Sequence, residues 1–229
     1  FSDKDRQPWR FRRRLSLLRR PIIELDTSDD PATVVAPGLL REAFAYSADS
    51  YHEGAFPGSQ LRSDAMQRWC GRAAGRRGKA FSRDVAARLE KLGWCVESEV
   101  PVTKILRKGF GKINYGDVDV LAWNKKAGRV LAIECKDLHF HKTPGEVAEQ
   151  LSDFRGTSHD GKRDFLKKHL DRCEVLGSHC DRVAAYIKFD YTPTIETWIV
   201  FRNPVPMLFA WERFKDRVHI TTFGKLAEV

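Results

Sequence analysis

The strongest constraint on how this chain folds is a pair of apolar segments separated by a short polar turn. The segments cover residues 117–123 and 129–136, and Asn-Lys-Lys-Ala-Gly lies between them. Short runs rich in Val, Leu and Ile that end at turn residues predict strands. A connection of this length and composition predicts a hairpin, so the two strands are expected to lie side by side.

The segments around the hairpin alternate between helical and extended patterns. Apolar residues at helical spacing predict helices over 79–92, 145–156 and 162–176, and a short helix near 39–46. Further strands are predicted over 94–105, 184–189 and 197–201, with a last one near 218–223. This order of a helix, three strands, two helices and further strands predicts an α/β layer structure around a mixed sheet.

The first 75 residues differ in character from the rest. Residues 10–20 are strongly basic with interleaved leucines, and residues 26–61 are rich in Asp, Ser, Pro, Gly and Ala. We predict a basic N-terminal arm and loop-rich region over 1–75 and one domain over 76–229. The arm has three explanations: a nucleic-acid-binding segment, a basic amphipathic helix that contacts another domain, or a disordered tail. Because the chain opens on Phe1, we expect that it was trimmed and that its first part is the end of an upstream domain.

The charge balance favours an acidic partner. The formal net charge is +9, and a basic surplus of this size favours nucleic acid or an anionic membrane surface. No apolar run approaches the roughly 20 residues needed to span a bilayer, so no membrane span is predicted. The five cysteines are scattered and odd in number, which predicts reduced thiols and a cytoplasmic location.

Three charged side chains interrupt the apolar strands of the hairpin. Because side chains alternate between the faces of a strand, Val118 and Val120 are expected on one face and Asp119 on the other. Glu134 and Lys136 share one face of the second strand. If the turn makes the strands neighbours, Asp119, Glu134 and Lys136 converge on one patch of the sheet.

Such a patch favours a metal-assisted reaction. Two carboxylates in apolar strands repel each other and lose hydration unless a cation lies between them. A hard divalent ion such as Mg²⁺ meets this need, and the backbone carbonyl of Cys135 is placed to add a ligand. Lys136 is suited to orienting or deprotonating a water and to stabilising a phosphoryl transition state. The alternative is a solvated strand face with a cross-strand ion pair, since Glu-x-Lys alone is a common pattern.

The hairpin resembles the core motif of the PD-(D/E)xK superfamily, the restriction-endonuclease-like nucleases. The likeness is carried by Gly-Asp-Val-Asp-Val-Leu-Ala at 116–122 and Leu-Ala-Ile-Glu-Cys-Lys-Asp at 131–137, within a similar region of about 77–155. The resemblance implies a three-layer core with a central mixed β-sheet flanked by helices. It also implies a Mg²⁺-dependent deoxyribonuclease, in which Asp119 and Glu134 bind Mg²⁺ or Mn²⁺ and Lys136 assists the attacking water.

The resemblance extends more weakly to the neighbouring helices. Gln150 matches the glutamine of a Gln-x-x-x-Tyr element that lies beside the metal in RecB-type nucleases, with Phe154 replacing the Tyr, so it is a candidate accessory catalytic residue. The alternative for Gln150 is an ordinary exposed helix residue. On the first helix, the position after Phe81 holds Ser82 where the family has Glu, and Asp84 is the substitute nearby. This departure leaves the number of metal ions open.

Seven basic residues are candidate nucleic-acid contacts, and their alternative is a solvated surface. Three lie in the Gly-rich connection before the hairpin: Lys104, Lys108 and Lys112. Four belong to a predicted amphipathic helix that packs Phe165, Leu166 and Leu170 inward: Lys162, and the outward-facing Lys167, Lys168 and Arg172. His169, Cys173, His179 and Cys180 lack the spacing of a zinc site, so core thiols and surface imidazoles are predicted there.

The predicted function is metal-dependent hydrolysis of phosphodiester bonds in DNA, with RNA as the alternative substrate. Two rivals belong to other classes: a catalytically silent nuclease-fold module that only binds DNA, and a structural domain whose strand charges form ion pairs. Restriction, repair and anti-phage defence are all compatible with this core. An upstream domain or partner protein is expected to provide targeting, and a homodimer is compatible with the sequence.

Overall fold

The computed structural model describes residues 21–56, 61–111, 113–138 and 144–228. The basic segment 10–20 and the candidate contact Lys112 lie outside these residues. The chain divides into two compact units, Phe1–Arg77 and Gly78–Val229.

The first unit combines a small hairpin with helices. Strands β1 (Ile22–Glu24) and β2 (Thr33–Val35) pair antiparallel. Helix α1 (Pro37–His52) is longer than the helix predicted near 39–46. Helix α2 (Asp64–Lys91) begins in this unit. The ring of Tyr51 stacks on that of Trp69 with centroids 6.1 Å apart, so aromatic stacking joins α1 to the N-terminal part of α2.

The second unit is built on a five-stranded mixed sheet. Its elements after α2 are β3 (Cys95–Pro101), α3 (Val102–Leu106), β4 (Asp117–Asn124), β5 (Arg129–Lys136), α4 (Pro144–Ser152), β6 (Ser158–His159), β7 (Lys162–Arg163), α5 (Phe165–Gly177), α6 (Cys180–Ile187), β8 (Thr194–Phe201) and β9 (His219–Thr222), with 3-10 helices at Pro206–Arg213 and Phe223–Glu228. The strand order is β3-β4-β5-β8-β9. The β3–β4 and β4–β5 pairs are antiparallel, and the β5–β8 and β8–β9 pairs are parallel. The predicted α/β class with a mixed sheet is confirmed.

Helices cover both faces of this sheet. Phe81 of α2 packs with Leu131 of β5 in one buried cluster. Leu176 of α5 and Ile187 of α6 pack with Leu121 of β4 in another. The hairpin strands β4 and β5 lie in the interior of the sheet and are covered on both sides, which explains their nearly continuous apolar sequences.

The strand predicted over 184–189 is wrong, because residues 184–187 form the last part of helix α6. Val183, Ala184 and Ile187 are buried at helical spacing against the sheet. The helix ends at Ile187, and the residue that caps it, Lys188, has a left-handed φ of 58°. A short apolar run is compatible with a strand or a buried helix, and here packing against the sheet selects the helix.

The strand predicted over 94–105 is too long. Strand β3 ends at Pro101, and the following residues form the short helix α3. Val102, Ile105 and Leu106 are buried on one side of this helix, so their spacing of three and four residues is helical.

The predicted facing of the first hairpin strand is also partly wrong. Val118 packs in the same buried cluster as Leu121, whereas Val120 packs in the other. In β3, Glu99 lies between the residues paired with Val120 and Val118, and its φ is 56°. A left-handed residue interrupts the regular pleat, and the change of face therefore falls at Asp119.

Candidate functional site

Glu134 is a buried carboxylate with a cation on each oxygen. Its residue is only 9% exposed. Nζ of Lys136 lies 2.7 Å from Oε1, and Nη1 of Arg172 donates to Oε2 at 2.5 Å. Burial by itself raises the pKa of Glu134, but the positive charges of Lys136 and Arg172 outweigh it and lower the pKa to about 2. Glu134 is therefore ionised at neutral pH.

Asp119 is the second carboxylate of this centre. The β4–β5 register pairs Val120 with Ile133, and Asp119 and Glu134 are the next residues along the two strands. Oδ2 of Asp119 accepts the backbone N–H of Cys135 at 2.8 Å. Burial is the largest cause that raises the pKa of Asp119, and the negative charge of Glu134 is the second; together they raise it to about 7. The pKa of Asp119 is thus raised and that of Glu134 lowered, although the two groups lie on neighbouring strands.

Lys136 lies where the centre meets the surface. Its side chain is 21% exposed, and its Nζ is 5.0 Å from the ring centroid of Phe165. The ring of Phe165 was expected inside, but the residue is 45% exposed. The first residue of α5 borders on solvent, and its ring instead contacts the ammonium groups of Lys136 and Lys168.

Arg172 and His169 complete the centre from helix α5, and the sequence interpretation missed both. Arg172 was expected to face outward, which is wrong, because it is 9% exposed and its Nε donates to the backbone oxygen of Tyr115 at 3.0 Å. His169 was expected to be a surface imidazole, which is also wrong, because it is fully buried with Nδ1 3.8 Å from Oε2 of Glu134. Burial lowers the pKa of His169 to about 4, so its ring is neutral at pH 7.

The spacing of the apolar residues along α5 could have predicted that His169 and Arg172 are buried. Leu166, His169, Cys173 and Leu176 are all buried, and their separations of three and four residues define one helix face. Arg172 follows His169 by three residues and lies on the same side. A polar residue within an apolar stripe indicates an internal partner, and here that partner is Glu134.

Cys135 contributes its backbone to the centre while its side chain faces the core. The residue is 6% exposed and packs in the cluster of Phe81 and Val120. Burial raises the pKa of its thiol well above the usual value, so the sulfur is a neutral thiol. Across the described residues, no group of three or more His, Cys, Asp or Glu side chains is arranged to hold a metal ion.

Ser82, at the position where the family has Glu, and its acidic substitute Asp84 both have other partners. Ser82 is buried, and its hydroxyl donates to the backbone oxygen of Gly78 at 3.3 Å. Asp84 accepts from Nη2 of Arg202 at 3.0 Å, and Nε of the same arginine donates to Asp137 at 3.0 Å. Asp84 therefore belongs to an ion-pair cluster centred on Arg202.

Gln150 lies on helix α4 and is 5% exposed, so it is not the exposed helix residue that was the alternative. Its neighbour Leu151 packs against the buried cluster of Phe154 and Phe201. The accessory role of Gln150 stays a prediction.

The basic candidates fall into two groups. In the first group, each side chain is engaged: Lys104 donates to Glu97 at 2.5 Å, Lys108 lies 3.1 Å from Nε2 of His179, and Lys167 pairs with Asp171. In the second group, Lys162 and Lys168 are exposed, and the ammonium of Lys168 lies over the ring of Phe165. Lys162 lies in strand β7, just before helix α5, and not in the helix predicted for it, whereas Lys168 lies on α5 together with Arg172.

A pocket lies at the β9 edge of the sheet. Its volume is about 740 Å³, and its lining includes Trp198, Phe209, Lys215, His219 and Lys225. The rings of Trp198 and His219 are stacked with centroids 4.7 Å apart. None of the carboxylates of the Glu134 centre lines this pocket.

Together, these features define an α/β protein with a buried acid–base cluster on the central hairpin of a mixed sheet. The chain belongs to the Upx-like family of anti-phage proteins, because the family model described as anti-phage protein Upx-like matches residues 1–226. No curated protein and no solved structure matches the chain. Family membership indicates a role in defence against phage, one of the settings compatible with the predicted core. No helix in the described part of the chain is long and apolar enough to cross a membrane.

Proposed function

We propose that the second unit is a metal-dependent nuclease that hydrolyses phosphodiester bonds in DNA, and that this activity underlies the defence role. The observation that carries the proposal is the pairing of Asp119, whose pKa is raised to about 7, with the ionised Glu134 and its partner Lys136 at 2.7 Å. Perturbed carboxylates that meet a lysine are typical of catalytic centres. The likeness of this hairpin to the PD-(D/E)xK motif supports the same reaction and a restriction-endonuclease-like core.

The chemistry of the residues fits a hard divalent cation. Asp119 and Glu134 supply carboxylate oxygens, and the backbone of Cys135 lies against Asp119 through the 2.8 Å hydrogen bond. The raised pKa of Asp119 reflects burial and repulsion by Glu134, and a cation between the two groups relieves that repulsion. Asp119, Glu134 and the carbonyl of Cys135 would hold Mg²⁺ or Mn²⁺. Such an ion, when bound, lowers the pKa of a water ligand and neutralises charge on the phosphoryl group.

The protein's own residues have distinct tasks in this proposal. Lys136 presents its ammonium Nζ at the solvent-facing side of the centre, where it orients the attacking water and donates to a phosphoryl oxygen as negative charge develops. Glu134 holds Lys136 in place through the contact to Oε1. The exposed Lys162 and Lys168 contact backbone phosphates on either side of the scissile bond.

A second candidate is a nuclease-fold module that binds DNA without cleaving it. The observation that favours it is the pairing of both Glu134 oxygens with Lys136 and Arg172, which satisfies the carboxylate without any metal. A cleavage assay separates the two functions.

The test is a gel assay of the full chain on plasmid DNA, single-stranded DNA and RNA, each with Mg²⁺, Mn²⁺ or EDTA. The variants are Lys136→Ala and Glu134→Gln, and the matched control is Glu196→Gln. Glu196 is a half-buried strand carboxylate that pairs with Arg129 at 2.6 Å, so its loss disturbs folding in a similar way but leaves the centre intact. We expect cleavage by the wild type and the control with metal only, and a loss of at least about 100-fold in both centre variants.

Each other outcome has a defined meaning. Full activity of a folded Glu134→Gln protein, or cleavage in EDTA, contradicts the proposed centre. Retardation of DNA without cleavage supports the binding module. Cleavage of RNA alone would mean that the substrate is RNA and that the reaction is still phosphodiester hydrolysis.

A further inference from the structure

Arg172 contacts Glu134 but does not belong to the hairpin motif of Asp119, Glu134 and Lys136. Its Nη1 donates to Oε2 of Glu134 at 2.5 Å, and its Nε donates to the backbone oxygen of Tyr115 at 3.0 Å. A Cβ atom added at Gly116 would meet Nη2 of Arg172 at 3.4 Å. The guanidinium is therefore enclosed by Glu134 on one side and by the segment entering β4 on the other.

The burial of this ion pair distinguishes it from an ordinary surface pair. The side chains of Arg172 and Glu134 are 11% and 12% exposed, so solvent screens their interaction weakly. A guanidinium stays protonated at every relevant pH. Arg172 consequently places a permanent positive charge at Oε2 of Glu134.

The other cation at Glu134 is less constrained. Lys136 contacts Oε1, and its side chain is 21% exposed. A lysine ammonium on a flexible stem is able to leave Glu134 and follow a phosphate without exposing a buried charge. Arg172 lacks this freedom, because it also bonds Tyr115.

We infer that Arg172 competes with the divalent cation for Glu134 and thereby sets the metal affinity of the centre. This inference rests on the proposed function. With Asp119 and Glu134 ionised and Lys136 and Arg172 protonated, the four charges of the centre sum to zero. Removal of Arg172 leaves a net negative charge and frees Oε2, and affinity for a hard cation rises with the negative charge of its ligands. Arg172 is a positioning residue in this scheme, and it keeps the centre weak in metal binding.

The test is calorimetric titration of the full chain with Mn²⁺. The variant is Arg172→Gln, and the matched control is Arg129→Gln, which removes an arginine from a carboxylate pair in the same sheet. We expect Arg172→Gln to lower the Kd for Mn²⁺ about tenfold, equivalent to about 1.4 kcal/mol. The control is expected to match the wild type, and Glu134→Gln is expected to bind Mn²⁺ more weakly than either.

Arg172→Lys keeps the experiment decisive if Arg172→Gln does not fold. Lysine retains the charge but lacks the fork that reaches both Glu134 and Tyr115, so we expect a Kd between those of the wild type and Arg172→Gln. An unchanged Kd in the folded Arg172 variants overturns the inference while leaving the metal centre in place. Absence of Mn²⁺ binding in the wild type and in every Arg172 variant overturns the proposed function together with the inference.

Discussion

Oδ2 of Asp119 accepts the backbone N–H of Cys135 at 2.8 Å, so the carboxylate of one hairpin strand is tied to the other strand between Glu134 and Lys136. This hydrogen bond holds the carboxyl group of Asp119 in place, but it brings no positive charge to balance the charge of the carboxylate. Burial and the charge of Glu134 still raise the pKa of Asp119 to about 7. The centre therefore holds a carboxyl group whose ionisation opposes folding in the absence of a cation.

The replacement Asp119→Asn should change how stability depends on pH. The folded-state pKa of about 7 exceeds the usual value of 3.8, so the folded protein binds the proton more tightly than the unfolded chain. The stability contributed by this group is therefore full below pH 4 and is lost as the pH rises to 7. Relative to Asp119→Asn, the wild type should lose roughly 2 to 4 kcal/mol over that range.

Urea unfolding in EDTA at several pH values measures this difference. Asp84→Asn is the control, since it makes the same change at an exposed aspartate on α2, outside the centre. Parallel pH profiles for the wild type and Asp119→Asn would show that Asp119 has an ordinary pKa.

Removing Lys162 and Lys168 together should weaken DNA binding and its salt dependence. Each phosphate contact contributes about 0.9 to the slope of log K against log salt concentration, so the double alanine variant should lower that slope by about 2. Fluorescence anisotropy at several salt concentrations gives the slope. The control is Lys91→Ala with Lys126→Ala, two exposed lysines outside the candidate contacts. An equal loss in the control would assign the effect to net charge alone.

Gly116→Ala should destabilise the entry to β4. Gly116 has φ +71°, a conformation that alanine adopts only with strain, and the new Cβ would lie 3.4 Å from Nη2 of Arg172. We expect a loss on the order of 1 to 2 kcal/mol. Gly71→Ala is the matched control, because Gly71 lies in helix α2 with no atom within 4 Å of the added Cβ, and alanine there should stabilise by up to about 1 kcal/mol. Equal effects of the two changes in thermal unfolding would contradict the assigned conformation.

Leu131→Ala should remove a large part of the stability of the second unit. Leu131 is fully buried in β5 and packs with Phe81 and Leu89, so truncation leaves a cavity that costs about 2 to 5 kcal/mol. Leu92→Ala is the comparison, since Leu92 is 39% exposed, and its loss should be below about 1 kcal/mol. Denaturant unfolding of both variants tests the expectation, and a similar small loss in both would be inconsistent with a packed β5.

The hairpin was predictable because its signals are local. The strands observed at Asp117–Asn124 and Arg129–Lys136 agree with the apolar runs and the turn between them. Glu134 and Lys136 are two residues apart on one strand, so alternation alone places them together. Their 2.7 Å contact can therefore be predicted without knowing the rest of the fold.

The remainder of the centre depends on tertiary packing. Arg172 reaches Glu134 from a helix 38 residues further along the chain, and a basic residue on an amphipathic helix is more often solvated. The face of Val118 is set by the left-handed Glu99 of a different strand. The helix over 184–187 arises because Ile187 packs on the sheet, whereas its short apolar run suits either element.

The pairing of Val120 with Ile133 also constrains how relatives of this protein vary in length. Lengthening the turn between β4 and β5 leaves this register unchanged, so Asp119 and Glu134 stay beside each other. A single residue inserted between Asp119 and the turn, or deleted there, slips the register and moves one carboxylate to the opposite face of the sheet. Insertions and deletions in functional relatives should therefore accumulate at residues 125–128, while the distances along each strand stay fixed.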